Sequence, residues 1–319
     1  MKMKKIIKKF KDRQILVIGD VMLDKYIWGE VERISPEAPV QIVEVTSENY
    51  VPGGAANVAN NLSSLGATPL LIGIVGRDSA KKRLEAELKD RKIKAYLIED
   101  ERPTIQKVRV LAQNQQLVRI DYEDKKYIEK HIEDKIIRYL EKNPKIEGII
   151  ISDYAKGIIT RALVSLLVGV AKKRKIPLVV DPKPKHIEYY HGVTLITPNN
   201  KEASEMARIP GDTEKDIEVL GDYLTKQIDS DILITRGSQG MSIITRDGKK
   251  EHIKTRAREI YDVSGAGDTV VASVTLAIVC GASIAQGARI ANHAAGVVVG
   301  KVGTSTVTMN ELFNTMDEE

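Results

Sequence analysis

The sequence is poor in cysteine and in large aromatic residues. Its 319 residues include one cysteine, Cys280, one tryptophan and two phenylalanines. A single cysteine cannot form a disulfide within the chain, which favours a reducing, cytoplasmic setting. No apolar run approaches the roughly 18 residues that span a bilayer, and the basic first segment is not followed by the apolar h-region of a signal peptide. We therefore expect neither a transmembrane helix nor a cleaved secretory signal.

Several widespread catalytic motifs are also missing. The five histidines have no spacing typical of a zinc site, and the sequence contains no GxSxG motif. Neither a Walker A motif nor a GxGxxG fingerprint follows the first predicted strand. Zinc chemistry, P-loop nucleotide binding and Rossmann dinucleotide binding therefore lose support.

The positive charge of the chain is concentrated at its start. Residues 1–13 carry seven Lys or Arg and one Asp, a net charge of +6, whereas the remaining residues have a net charge of −1. One interpretation is an arm that binds nucleic acid or a membrane surface, and the other is a short, solvated first helix. The second is favoured because counterion-driven binding uses a broader basic surface. We expect no nucleic-acid or membrane partner.

Short apolar runs alternate with helical patterns along most of the chain. This alternation predicts a mainly parallel sheet covered by helices on both faces. Four segments within about 25–47 and 103–123 instead alternate apolar with polar residues, as half-exposed antiparallel strands do. The sequence therefore predicts a single α/β domain over 1–319, into which these segments insert a small β-sheet lid. Residues 53–66 predict a loop followed by a helix.

The segment DVSGAGDT, residues 262–269, gives the strongest local signal. Gly265, Ala266 and Gly267 lead directly into an apolar helix, whose free N–H groups and dipole favour a bound anion. Asp268 lies in the first turn of that helix, where an acid is usually a cap. A carboxylate repels an anion bound beside it. Its presence here is explained if it acts as a base that takes a proton from a nucleophile attacking phosphorus.

Polar side chains follow two further predicted strands. Asn199 and Glu202 are three residues apart, so they form either a capping pair or a site in which Glu202 holds magnesium through water.

Gly53 and Gly54, with Asn57, form either a simple turn or a hinge that lets the backbone approach a sugar.

The lid segments carry charged residues at alternate positions. Lys107 and Arg109 are expected on one face, and Arg119 and Asp121 on another. These side chains are either solvated or turned towards a substrate that bears its own phosphate.

Three motifs resemble those of a known family, the ribokinase-like (PfkB) carbohydrate kinases. GGAANVANNLSSLGA (53–67) and DVSGAGDTVVAS (262–273) resemble its two signature regions, and NNKE (199–202) resembles its magnesium-associated motif. Longer segments, among them 19–45 and 102–121, resemble the kinase domain of bifunctional heptose-7-phosphate kinase/adenylyltransferases. The adenylyltransferase half of such a protein would lie beyond residue 319, so we expect the kinase part alone.

The resemblance implies a ribokinase-like α/β/α sandwich with a lid, often dimeric through the lids, that transfers the γ-phosphoryl group of MgATP to a sugar hydroxyl. It makes Asp268 the base, with the backbone of Gly265, Ala266 and Gly267 as the anion hole. The implied ligands of ATP and magnesium are Asn199, Asn200, Lys201, Glu202, Arg236, Gly237, Gly240 and Asn292. The candidate ligands of the sugar phosphate are Asp24, Gly53, Gly54, Asn57, Lys107, Arg109, Arg119, Asp121, Asp153 and Lys156.

Three functions stay open on the sequence. The first is phosphorylation of the anomeric hydroxyl of D-glycero-β-D-manno-heptose 7-phosphate, as the resemblance implies. The second is the same reaction on another acceptor, such as ribose or fructose 1-phosphate. The third is a sugar-sensing or nucleic-acid-binding protein on a kinase fold, which the presence of both Asp268 and Glu202 disfavours.

Overall fold

The fold combines a large mixed sheet, its covering helices and a smaller sheet. The computed structural model describes residues 2–113, 115–256, 263–301, 303 and 305–316. The strands are β1 (Gln14–Gly19), β2 (Val21–Ile34), β3 (Gln41–Gly54), β4 (Thr68–Val75), β5 (Lys94–Glu99), β6 (Gln106–Ala112), β7 (Gln115–Tyr122), β8 (Gly148–Ser152), β9 (Leu178–Asp181), β10 (Leu195–Ile196), β11 (Asp231–Thr235), β12 (Met241–Ile244) and β13 (Lys250–Ile253). The α-helices are α1 (Lys2–Ile7), α2 (Ala55–Ser64), α3 (Ser79–Asp90), α4 (Lys130–Lys142), α5 (Arg161–Arg174), α6 (Asn200–Ala207), α7 (Glu214–Ile228), α8 (Ala266–Val279), α9 (Ile284–Val299) and α10 (Met309–Thr315).

Nine strands form the large sheet, in the order β13-β12-β11-β10-β9-β8-β1-β4-β5. All neighbours pair in parallel except β11 with β12 and β12 with β13. Apolar side chains of α2, α8 and α9 pack on one face, and those of α4, α5, α6 and α7 pack on the other. The predicted α/β/α sandwich is confirmed. No helix within the described part of the chain is both long and apolar enough to cross a bilayer.

The smaller sheet, hereafter the lid, has the strand order β3-β2-β6-β7. Only Asp20 separates the end of β1 in the large sheet from the start of β2 in the lid. The return strand β3 runs to Gly54, and α2 begins at the next residue. The loop predicted at the start of 53–66 is therefore wrong, because lid pairing continues up to the helix: Val21 pairs with Gly54.

The predicted faces of the lid also need a correction. Lys107 pairs with Asp121, and Arg109 pairs with Arg119, across β6 and β7. Residues directly opposite each other in an antiparallel pair project from the same face. All four charged side chains therefore share one face, which the sequence could not show because the register of the two strands was unknown.

The basic first segment is packed against the rest of the protein. It begins with α1, as the solvated-helix interpretation predicts, but Ile7 and Phe10 are fully buried in the core. The ammonium groups of Lys4 and Lys8 lie 4.7 and 5.6 Å from the ring centre of Phe313. The segment is therefore part of the folded domain and not a free arm.

Candidate active site

The start of α8 forms the centre of the site. Gly265 caps the helix with a φ of 80°, a left-handed conformation that glycine adopts without strain. The helix begins at Ala266, whose N–H donates to the carbonyl of Val263 at 3.2 Å, whereas the amides of Gly267 and Asp268 have no partner within the helix. A side chain added at Gly267 would meet no atom within 4 Å. Asp262, at the start of the motif, lies outside the described residues.

The carboxyl group of Asp268 is buried and held by two donors. Asn57 Nδ2 donates to Oδ2 at 2.7 Å, and the Tyr154 hydroxyl donates to Oδ1 at 3.1 Å. Burial raises the pKa of Asp268 to about 6, and the two hydrogen bonds oppose that rise. The carboxylate is thus ionised at neutral pH yet basic enough to accept a proton. Asn57 Oδ1 is also buried and has no hydrogen-bond partner among the described residues.

A cavity of about 420 Å³ lies on the other side of the same helix start. Its size is within the usual range for small-molecule sites. Ala266 and Gly267 border it together with Asn199, Gly237 and Asn292, which the sequence assigned to the nucleotide. The other lining residues are Thr235, Ser238, Met241, Thr255, Val263, Val270, Ala295, Gly296 and Val299. The first turn of α8 therefore contributes to both this cavity and the Asp268 site.

Asn199 and Glu202 form a capping box at the start of α6. Asn199 Oδ1 accepts the Glu202 N–H at 2.9 Å, and Glu202 Oε2 accepts the Asn199 N–H at 3.0 Å. The other oxygen of Glu202 pairs with Lys183. Asn200 Nδ2 donates to the carbonyl of Gly211 at 3.0 Å, and Lys201 is exposed. Their assignment to ATP and magnesium stays a prediction.

The loop after β11 contributes only part of its predicted residues to the cavity. Gly237 borders it, whereas Arg236 turns its guanidinium to Ser242 Oγ at 3.2 Å and Gln239 Oε1 at 2.9 Å. Gly240 has a φ of 86°, and a Cβ there would collide with the carbonyl of Ile253. Both residues therefore shape the loop, and their contact with nucleotide stays a prediction.

The lid side of the site holds Asp24 and its neighbours. Arg109 Nη1 donates to Asp24 Oδ1 at 2.6 Å, and a Cβ at Gly53 would collide with the other oxygen of Asp24. Asp24 is close enough to Asp268 to raise the pKa of that carboxyl group. Lys107 is opposite Asp24 in the sheet, and burial lowers the pKa of its ammonium group. Arg119 and Asp121 form an ion pair at 2.9 Å further out on the same face.

The two predicted sugar ligands that follow β8 have different surroundings. Asp153 has no exposed surface, and its carboxylate accepts three hydrogen bonds, from Ala155 N (2.7 Å), His186 Nδ1 (2.6 Å) and the Tyr190 hydroxyl (2.6 Å). This favours a structural role for Asp153 over the predicted contact with sugar. Lys156 forms an ion pair with Glu123.

Carboxylates crowd the carboxyl edge of the sheet. Burial raises the pKa of Asp181 well above its usual value, and Asp268, Glu202 and Asp153 raise it further. Such crowding favours a cation or a cationic ligand nearby. Among the described residues, however, no group of three or more His, Cys, Asp or Glu is arranged to hold a metal ion by itself.

Comparison with known proteins identifies the family. Residues 12–311 match the sequence model of a protein family described as pfkB family carbohydrate kinase. The chain belongs to this family. It is therefore a phosphotransferase that acts on a sugar, and the interpretation as a non-enzyme is set aside.

The kinase is similar to two curated relatives named Bifunctional protein HldE. The protein of Geobacter metallireducens is 46% identical over 310 residues, which are 96% of this chain and 63% of the relative. The protein of Geobacter sulfurreducens is 46% identical over 305 residues, which are 94% of this chain and 62% of the relative. The kinase thus spans less than two thirds of the length of these relatives.

Solved structures share the fold of the kinase. Arabidopsis thaliana ribokinase complexed with ribose and ATP matches with a TM-score of 0.74 and 18% identity, over 95% of this chain and 98% of that one. Phosphofructokinase-2 from Escherichia coli in complex with potassium matches with a TM-score of 0.78 and 18% identity, over 96% and 99%.

The sequence analysis missed a residue that contacts Asp268, the predicted base. Tyr154 donates to Asp268 but was not assigned a role. Its position two residues after β8, at the carboxyl edge of the sheet, was the available signal. Glu123, the partner of Lys156, was missed as well, because no local pattern joins residues 33 positions apart.

Proposed function

We propose that this kinase transfers the γ-phosphoryl group of ATP to the anomeric hydroxyl of D-glycero-β-D-manno-heptose 7-phosphate. The observation that carries the reaction type is the buried carboxyl group of Asp268 beside the nucleotide-sized cavity. The acceptor is supported by the long segments that resemble heptose-7-phosphate kinase domains and by the similarity to the HldE proteins. The proposal includes ATP as the phosphoryl donor.

In the proposed reaction Asp268 is the general base. Its carboxylate takes the proton of the attacking hydroxyl, whose oxygen forms a bond to the γ-phosphorus. The bond from that phosphorus to the bridging oxygen breaks, and ADP leaves. The amides at Gly265 and Gly267 stabilise the charge that develops on the phosphoryl oxygens, and that of Ala266 would do so only on leaving the Val263 carbonyl. Asn57 holds the base with its Nδ2 and offers its unpartnered Oδ1 as an acceptor for a sugar hydroxyl.

Magnesium fits the charge of this edge of the sheet. The carboxyl groups of Asp268, Glu202 and Asp153 lie near Asp181, and Lys183, which is bound to Glu202, also acts on Asp181. Glu202 would hold the ion through water, since magnesium keeps several of its waters. When bound, the ion neutralises charge on the ATP phosphates.

The charged face of the lid supports an acceptor with its own phosphate. Lys107 and Arg109 share this face with Arg119 and Asp121, and Asp24 lies opposite Lys107. Lys107 is about half-buried with a pKa lowered by burial, so a phosphate beside it would relieve the cost of its charge. Lys156 adds a second cation, although Glu123 already binds it.

One experiment tests both parts of the proposal. ADP release is measured with heptose 7-phosphate, ribose and fructose 1-phosphate. We expect heptose 7-phosphate to be preferred, and Asp268→Asn to lower kcat by about two to four orders of magnitude while ATP still binds, because a general base contributes about that much. Lys107→Met should raise the KM for heptose 7-phosphate. Lys81→Met, on α3 outside the lid and paired with Glu99, is its control.

Two results would contradict the proposal. Preference for unphosphorylated ribose would contradict heptose 7-phosphate as the acceptor. Near-normal turnover of Asp268→Asn would contradict the role of Asp268 as the general base.

We also propose that the kinase forms a homodimer through the lid. The face opposite the charged one carries the apolar side chains of Val118 and Ile120, which are 48% and 44% exposed. Exposed apolar residues beside unpaired strand edges favour association.

A cytoplasmic location stays a prediction, based on the single cysteine.

A further inference from the structure

Asp20 lies at the root of the lid, between β1 and β2. Its carbonyl accepts the N–H of Ala55 at 3.1 Å, where the chain leaves the lid for α2. Its own N–H donates to the carbonyl of Ser152 at the end of β8, at 3.3 Å. This buried residue therefore touches both the entry and the exit of the β2–β3 hairpin as well as the large sheet.

The side chain of Asp20 binds the loop that follows β8. Oδ2 accepts the N–H of Tyr154 at 2.9 Å and that of Lys156 at 3.1 Å, and Oδ1 accepts that of Ile158 at 3.4 Å. Burial raises the pKa of Asp20 to about 6, and these backbone N–H groups oppose the rise. Three amides of one loop thus converge on a carboxyl group from another part of the chain.

The loop needs such external support because its backbone is strained. Ala155 has a φ of 54°, which a residue with a Cβ rarely adopts, and Gly157 has a φ of 107°. A side chain at Gly157 would collide with the carbonyl of Lys126. Strained conformations of this kind persist only where the surroundings hold them.

The same loop carries the hydroxyl group that contacts Asp268. We propose that Asp20 is a positioning residue for phosphoryl transfer: through the backbone of Tyr154 it holds the tyrosine hydroxyl against the carboxyl group of Asp268. This inference rests on the proposed role of Asp268 as the base. Asp20 itself touches neither Asp268 nor the cavity, so its effect on the reaction passes through Tyr154.

The charges around Asp268 give the direction of the expected effect. Burial and Asp24 raise its pKa, whereas Asn57, Tyr154 and Lys183 lower it; Asp181 is a further carboxyl group nearby. Loss of the hydrogen bond from Tyr154 therefore raises the pKa of Asp268. Since the base acts when ionised, the acid limb of the kcat profile moves to higher pH. One hydrogen bond corresponds to about half to one pH unit.

The test compares the pH profiles of kcat for Asp20→Asn, Tyr154→Phe and the double variant, with the best acceptor of the sugar panel. We expect each single variant to move the acid limb to higher pH by about half to one unit. The double variant should show no further shift than Tyr154→Phe, because both changes remove the same contact. The KM for ATP should stay unchanged, since the nucleotide cavity uses other elements.

Asp231→Asn is the matched control. Asp231 is also buried, and its Oδ1 accepts the backbone N–H of Arg246 at 2.8 Å. It lies at the start of β11, however, at the end of the strands away from the site. Asp231→Asn should leave the acid limb in place. If Asp20→Asn does not fold, Asp20→Glu replaces it, because the longer side chain displaces the carboxyl group. The same shift of the acid limb is then expected.

The outcomes separate this inference from the proposed function. The role of Asp20 would be overturned if Asp20→Asn left the acid limb of the kcat profile unshifted, or if the two shifts added in the double variant. Asp268 would still be supported as the base if Asp268→Asn were inactive. Full turnover of Asp268→Asn would instead overturn the base itself.

Discussion

The proposed catalytic position of Asp268 carries a cost in stability. Its carboxyl group is buried, with hydrogen bonds from Asn57 and Tyr154 and with Asp24 nearby. A carboxyl group whose pKa rises from 3.8 to about 6 on folding binds its proton more tightly in the folded state. The free energy of unfolding therefore falls as the pH rises from about 4 to about 6, and the cost persists above pH 6.

Asp268→Asn should make the protein more stable at pH 8, by up to about 3 kcal/mol, because the amide needs no charge in this buried site. Asn57 can accommodate the change by turning its unpartnered oxygen towards the new amide. The gain should shrink as the pH falls from 6 to 4, where the wild-type carboxyl group becomes neutral. Urea unfolding of both proteins at pH 8 and pH 4 measures it. An equal difference at both pH values would contradict the argument.

The sequence predicted site residues where the signal is local. Gly265 and Asp268 belong to one short segment, and so do Asn199 and Glu202. Tyr154 was missed because its contact with Asp268 joins residues 114 positions apart. No pattern within either segment records such a contact, which depends on how the loop after β8 is held.

At the scale of elements, boundaries were predictable where capping is local. The start of α6 follows from its capping box, and the start of α8 follows from the glycine before it. The sequence analysis assigned no strand to β5 and no helix to α4. β5, KAYLIE, is an edge strand in which only Ile98 is buried and whose apolar residues do not alternate with polar ones, so pairing with β4 decides the structure and periodicity does not.

The first segment provides a test at this scale. Phe10→Ala should lower the free energy of unfolding by about 3–5 kcal/mol, because a fully buried ring is lost from the core. Lys11→Ala, an exposed position one residue further, should change it by less than about 0.5 kcal/mol. Denaturant unfolding measures both. Equal small effects would mean that this segment is a loose basic arm after all.

At the scale of the whole molecule, the two faces of the lid have opposite character. The face with Lys107 and Arg109 turns its charges towards Asp24 and the site. The other face carries Val118 and Ile120, paired across the strands with Val110 and Val108. Because side chains alternate along a strand, one sheet can serve the substrate and a second subunit at the same time.

This arrangement makes a prediction about assembly. Ile120→Lys should convert a dimer into a monomer in sedimentation velocity, because it places a charge beside the exposed Val118 on the edge strand of this face. Leu166→Lys is the control: this residue is 46% exposed on α5, outside the lid, and should leave the dimer intact. A wild-type monomer at micromolar concentration, or a dimer that survives Ile120→Lys, would contradict assembly through the lid.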